Sequence, residues 1–438
     1  MKWVVTAVAA AVAGATAGAV ADEKEEVGAV PPPRSVADLD IPARRFDLRD
    51  FGGDPAAALN TAAFEKAVAA IGDAGGGQLY VPPGVYTTTG FALTSHMSLF
   101  LEAGATVKGL ANFSTDPTSQ PVPGRKAAEH WRIRNDSCSS YPRQASGPHP
   151  PGYNWSKGDV EERNSGYEPL IGCWNLTDVA ITGNNGSLEG QGDLWWPMHQ
   201  GSPGLVAGRP HAVLLSRCKR VLVSNITIRD SPFWSVRLWD SRQVAAANLT
   251  ITATRSTFNN DGIDVDSSGD VLIENLRYSG GDDAVAIKSG YQEAGAAFNQ
   301  PSFNVVVRSV VATTRASCFC VGSEIQGGSH NISVEGIHCA NSADAIRFKT
   351  PTPAHISTDY FLQDISMQSV TTGLSVCGVN SVSLRNISGK AAQAGSFKTC
   401  ANVTLVDVRI TGGGEYSCGS GISGMHPVGA VVPPACPT

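Results

Sequence analysis

The chain has 438 residues, of which 42% are hydrophobic and 16% charged, with 47 glycines, a balance that excludes a disordered chain and describes a packed, turn-rich one. A net charge of -6 excludes general attraction to nucleic acid, anionic lipid or an acidic polymer, so any polyanion must be met by a local basic site. Length does not force two domains, because solenoids run long as one unit.

The N-terminus reads Met1-Lys2, then an apolar stretch from Trp3 to about Val20, then Ala19-Val20-Ala21 before DEKEE. That order predicts a signal peptide over 1–21 and hence a secreted protein; a buried helix is the rival reading, but the charged run would end it abruptly. No later stretch of about 18 apolar residues offers a membrane span. Residues 22–43, rich in proline and charge, are expected to be a flexible leader, with one folded domain over 44–438. Asn60 to Ile71 carries apolar residues at helical spacing and ends at Gly72, which predicts a short amphipathic helix placed to cap a solenoid.

From about Gly75 onward, short β-branched segments recur roughly every 20 to 30 residues, the period of a solenoid. They include DVAITG, RVLVSNITIRD, QVAAANLTITA, DVLIENLRYSG, NVVVRSVVAT, NISVEGIHCAN, SVSLRNISG and NVTLVDVRITG. One such unit cannot bury its apolar face alone, whereas a stack of them makes a continuous core. A β-sandwich would space its strands by roughly 8 to 12 residues, so the fold expected is an all-β, single-stranded parallel β-helix. The segment from Asn135 to about Glu168, with Tyr141, His149, Tyr153 and Trp155, breaks the rhythm and reads as a long inserted loop, either walling a binding cleft or lying as a solvated surface loop stapled by Cys138.

Ten cysteines in a chain bound for an oxidising compartment suggest disulfides, with Cys400, Cys418 and Cys436 placed to tie down a Gly-rich tail. Cys318 and Cys320 lack a second Cys/His pair at ligand spacing, so no metal is expected there. N-x-[ST] sequons at Asn112, Asn135, Asn154, Asn175, Asn225, Asn248, Asn331, Asn386 and Asn402 fit a glycosylated surface, although Ser and Thr are common in strands and some matches must be accidental.

The densest chemical signal is FNNDGIDVDSSGDVLIENLRYSGGDDAVAIKSG, residues 258–290. Asp261 stands about one solenoid period before the adjacent Asp282 and Asp283, and stacked strands lie about 4.8 Å apart, so the three carboxylates should meet. Such a group resists full ionisation, which can leave one member as a general acid and its neighbours as bases, the equipment for glycoside hydrolysis. Inverting glycosidases hold acid and base about 6.5 to 9.5 Å apart, and side chains on neighbouring coils can splay that far. Further on, AIRFKT places Arg347 and Lys349 on one face of a strand, where a guanidinium fork and a point charge would hold a sugar carboxylate. Asp-Gly and Gly-Asp-Asp strings also occur in ordinary turns, and an isolated Arg/Lys pair is usually a solvated face; the joint spacing is what carries the argument.

These residues resemble the polygalacturonase family of glycoside hydrolases, marked by N-x-D, G-D-D, G-H-G and R-x-K motifs in that order. Asn259-Asn260-Asp261, Gly281-Asp282-Asp283 and Arg347-Phe348-Lys349 match three of them. The likeness runs on through VPPGVYTTTGFAL, GSLEGQGDLWW, RPHAVLLSRCKRVLVSNITIRDSPFW and GSEIQGG. The resemblance implies a right-handed parallel β-helix (pectin-lyase-like solenoid) and inverting hydrolysis of α-1,4-galacturonosyl linkages in pectin, an acidic plant or algal cell-wall polysaccharide. It implies Asp282 as general acid, Asp261 and Asp283 as bases holding water, Arg347 and Lys349 as substrate-carboxylate ligands, and Asn259 as support. Where the family has G-H-G, this chain has Ala316-Ser317-Cys318, which puts Ser317 in the histidine's place at the substrate, as in plant-like and bacterial members that lack the histidine. The family's late tyrosine has no clear counterpart; Tyr360 is nearby in sequence.

The expectation is thus a monomeric hydrolase needing no cofactor or metal, because two carboxylate roles suffice, and binding neither nucleic acid nor membrane. A related pectic backbone (rhamnogalacturonan or xylogalacturonan), a calcium-dependent lyase on a similar solenoid, and a non-catalytic pectin-binding solenoid are the rival readings.

Overall fold

A computed structural model describes residues 31–110, 167–200, 209–350 and 357–437. Residues 1–30, Cys138 and nearly all of the expected inserted loop, and the sequons at Asn112, Asn135 and Asn154 lie outside the described residues.

Alternation inside each coil decides which side chains enter the core. In the Gly269–Gly280 strand, Val271, Ile273, Leu276 and Tyr278 are buried inward while Asn275 and Arg277 are exposed. The inward phase slips by one between Ile273 and Leu276, because Asn275 adopts a left-handed backbone (φ 55°) and turns the chain. Asparagine tolerates this conformation better than most residues. The same conformation recurs at Asn225, Asn248, Asn386 and Asp364, so each coil bends at the same place. Stacking then follows. Val244, Val271, Val305, Ile332 and Tyr360 are successive register partners, all in parallel pairs, and pile into one internal row. Each fully buried aliphatic side chain of such a row contributes about 1.5–3 kcal/mol. The result is a right-handed parallel β-helix, with a large open sheet whose strand pairs among the described residues are all parallel. That register excludes the sandwich.

The bending asparagines also bond to asparagines of the preceding coil. Asn275 Nδ2 donates to Asn248 Oδ1 (2.9 Å) and Asn248 Nδ2 to Asn225 Oδ1 (3.0 Å); Asn331 donates to Asn304 (2.7 Å) and Asn402 to Asn380 (2.9 Å). Sequons at Asn225, Asn248, Asn331 and Asn402 therefore coincide with a structural ladder between coils.

The capping helix forms over Thr61–Asp73, two residues beyond the expected end, with Ala63, Phe64, Ala67, Val68 and Ile71 turned onto the open end of the core. Phe64 stacks on Phe91 at 4.3 Å. The expected flexible leader requires correction from residue 31 onward. Val36–Asp38 makes a 3-10 turn, and Leu39 is buried against Ala180, Leu222, Ala245 and Leu272, one outward apolar residue from each of four coils. That stripe would otherwise face water, and Val36, Leu39 and Ile41 cover it. Asp178 accepts the Asp40 N–H (3.0 Å), while Arg220 bonds both Asp178 and the Asp38 carbonyl. Of the cysteines grouped at the tail, Cys418 pairs with Cys436 and Cys400 is a buried free thiol; Cys318 pairs with Cys339 on the next coil.

Candidate active site

Two turns on neighbouring coils build the site. Gly281 opens the second because a side chain there would meet the Thr257 carbonyl at 1.9 Å, and the close approach lets the turns share hydrogen bonds. Asn260, 2% exposed, ties them: its amide donates to the Thr254 carbonyl (2.8 Å) and Thr257 Oγ1 (2.6 Å), and its Oδ1 accepts the Gly281 N–H (2.9 Å). Tyr278 donates to the Asn260 carbonyl from below (3.0 Å). Asn259, in a left-handed conformation (φ 55°), donates its main-chain N–H to Asp282 Oδ2 (2.8 Å), and the Asp283 N–H donates to Asp282 Oδ1 (2.9 Å).

Carboxylate oxygens of Asp261, Asp282 and Asp283 all lie within 4.8 Å of one another. Asp282 is the most open of the three; Asp261 and Asp283 are 2% and 1% exposed. Their surroundings divide them. Burial and then the Asp283 charge raise Asp282, which favours the protonated acid. Burial also pushes Asp283 up, but Lys349 and Lys288 outweigh it and hold Asp283 below the ordinary carboxylate value. Lys349 Nζ binds Asp283 Oδ2 at 2.8 Å, and the Ser317 N–H donates to Oδ1 at 2.9 Å. Asp261 is raised well above the usual range by burial, then by Asp282 and Asp264, and its Oδ1 accepts no hydrogen bond from the described residues.

Arg347 and Lys349 do share the outward face of their strand, with Ile346 and Phe348 in the core. Both are engaged: Lys349 with Asp283, and Arg347 Nη1 with Asp344 Oδ2 at 3.2 Å. Ser317 is fully buried, so it meets Asp283 through its main chain beneath the carboxylates and does not present a side chain at the surface. Tyr360 belongs to the core, edge-on to Phe348 at 4.9 Å. Three carboxylates with an ammonium on one of them make a poor calcium site, since calcium takes six to eight oxygens.

Behind the carboxylates lies a buried ionic layer that the sequence reading missed. Lys288 Nζ meets Glu324 Oε2 (2.9 Å) and Asp264 Oδ1 (3.5 Å) and stands 4.5 Å over the Trp234 ring; Arg237 meets Asp266 (2.8 Å). Asp264 is raised to about 8 by burial, with Lys288 opposing the rise. A signal existed: in IDVD, Asp264 and Asp266 alternate with core residues and so leave on the same face of the coil as the site.

A parallel solenoid that brings electrically unlike carboxyls together from two neighbouring turns holds the acid and base that glycoside hydrolysis requires. Residues 156–380 match the family described as Glycosyl hydrolases family 28, and the chain belongs to that family. It is 35% identical over 334 residues to a protein of Vitis vinifera named "Probable polygalacturonase", covering 75% of this chain and 61% of that relative's length. Among solved structures, the fold is similar to the exopolygalacturonase of Thermotoga maritima (22% identity, TM-score 0.60, 92% of this chain and 94% of the other). It is also similar to the polygalacturonase of Erwinia carotovora (18% identity, TM-score 0.62, 89% and 96%).

Proposed function

We propose that this protein is a secreted hydrolase of α-1,4-galacturonosyl linkages in pectin, acting through residues 44–438 as one solenoid domain. The observation that carries the reading is the division among the three carboxyls: Asp282 more exposed and pushed toward its neutral form, Asp283 held charged by Lys349. Asp282 donates its proton to the leaving glycosidic oxygen, and Asp283 draws the proton from a water that attacks the anomeric carbon. Asp261, with a free Oδ1, supplies a second acceptor for that water.

The closest carboxyl oxygens fall within 4.8 Å, short of the 6.5 to 9.5 Å expected, so spacing does not select inversion. Access does. Asp261 and Asp283 are almost wholly buried and both Asp283 oxygens are bonded, so a sugar carbon cannot reach them to form a covalent intermediate, whereas a water can. An α-anomer released first, seen by NMR, would rule inversion out.

Asp282→Asn should lower reducing-sugar release from polygalacturonate by at least about a hundredfold, the loss of general-acid catalysis. Undiminished release would remove Asp282 from the mechanism. Release from wild type only on a rhamnose-containing or xylose-substituted polymer would move the substrate assignment to that backbone.

A further inference from the structure

Two residues just outside the carboxyl cluster remain unused. Phe258 is 47% exposed, unusual for so large an apolar side chain, and directly precedes the Asn259 N–H that grips Asp282. Its ring stands 5.9 Å from Trp196, and the Arg315 guanidinium lies 5.1 Å over it. Arg315 is exposed and lies between Thr314, whose hydroxyl binds the Asp282 carbonyl, and Ser317, whose N–H binds Asp283. Ring and guanidinium are thus anchored by the same short segments that fix the acid and the base. Unlike Arg347 and Lys349, Arg315 has no carboxylate partner among the described residues; its one hydrogen bond is to the Arg255 carbonyl at 3.3 Å. Arg255 in turn donates to the carbonyls of Asn341 (2.9 Å) and Thr314 (3.3 Å), which steadies this rim.

We propose that Phe258 and Arg315 form a binding subsite for a uronate residue of the polymer, beside the bond being cut; this rests on the uronan-hydrolase reading above. The C–H face of a pyranose packs on the open part of an aromatic ring, and a uronate carries its carboxylate at the ring's edge, where an adjacent guanidinium meets it with a two-pronged, charge-assisted bond. The two groups together select an acidic sugar over a neutral one of the same shape.

Arg315→Gln and Phe258→Ala should each raise KM on polygalacturonate about tenfold with kcat within about twofold, because they remove binding shared by ground and transition states. Arg315→Lys should recover part of the loss, and Phe258→Leu should keep the fold while losing the ring. In Arg315→Gln the dependence of KM on salt should flatten. An unchanged KM in both Arg315→Gln and Phe258→Ala overturns the subsite. If wild type releases no sugar from polygalacturonate, the hydrolase reading fails by itself, and calorimetric titration with trigalacturonate still reads the subsite. Binding that Arg315→Gln weakens upholds it; binding that Arg315→Gln leaves intact, or no binding to wild type, sinks it.

Discussion

Lys349 shows how one side chain sets the character of two others. Its ammonium on Asp283 keeps that carboxylate ionised, and its charge also opposes the upward shift of Asp282. Removing it as Lys349→Met leaves only Lys288 and the Ser317 N–H to oppose the burial of Asp283, which favours the protonated form. The low-pH limb of kcat/KM, where the base must lose its proton, should then move to higher pH by about 1–3 pH units, the usual effect of an adjacent opposite charge. A pH–rate profile with an unmoved acid limb would deny Asp283 the role of base. At this scale the sequence was informative about the three aspartates, because turn acids one coil apart must come together in a stack. It was not informative about what Lys349 touches, since a side chain 66 residues from Asp283 could equally have pointed at substrate. Nor did it reveal Lys288 and Glu324, whose partners sit on other coils and whose motifs read as strand ends.

At the scale of elements, the recurring β-branched segments made the coils readable, and the structure adds that Asn225, Asn248 and Asn275 turn the chain within three of them. The leader was misread because proline and charge imply flexibility only when nothing covers the apolar residues between them. Val36, Leu39 and Ile41 do have a surface, but it is assembled from Ala180, Leu222, Ala245 and Leu272 on four separate coils, and each of these alone is an ordinary outward residue in its strand. The strap therefore adds to stability by covering that stripe. Leu39→Ala should lower the free energy of chemical unfolding by about 2 kcal/mol, as for other buried leucines truncated where neighbours can partly relax. An unchanged denaturation midpoint would mean that the leader merely lies on the coils.

Over the whole molecule, the outer face of the solenoid stores a cost in its buried acids. Asp264 is held at about 8 in the folded chain and would titrate near about 3.9 when unfolded, and Asp261 is raised in the same direction. Between those two values the native protein binds more protons than the unfolded one, so stability must fall as pH rises through that window. Asp283 works oppositely: its folded value lies below the unfolded one, so its contribution is present above about 3.9 and lost as pH falls through the folded value. The two effects place the stability maximum on the acid side of neutrality. A tenfold change in one proton-binding equilibrium is worth about 1.4 kcal/mol, so the melting temperature should drop by several degrees between about pH 5 and pH 8. Asp264→Asn, which cannot ionise, should flatten that decline while preserving side-chain volume beside Lys288. A melting temperature that holds level or climbs over the same interval in the wild type would mean that Lys288 keeps Asp264 charged, and that the ionic layer behind the site is a closed set of ion pairs holding no exchangeable proton.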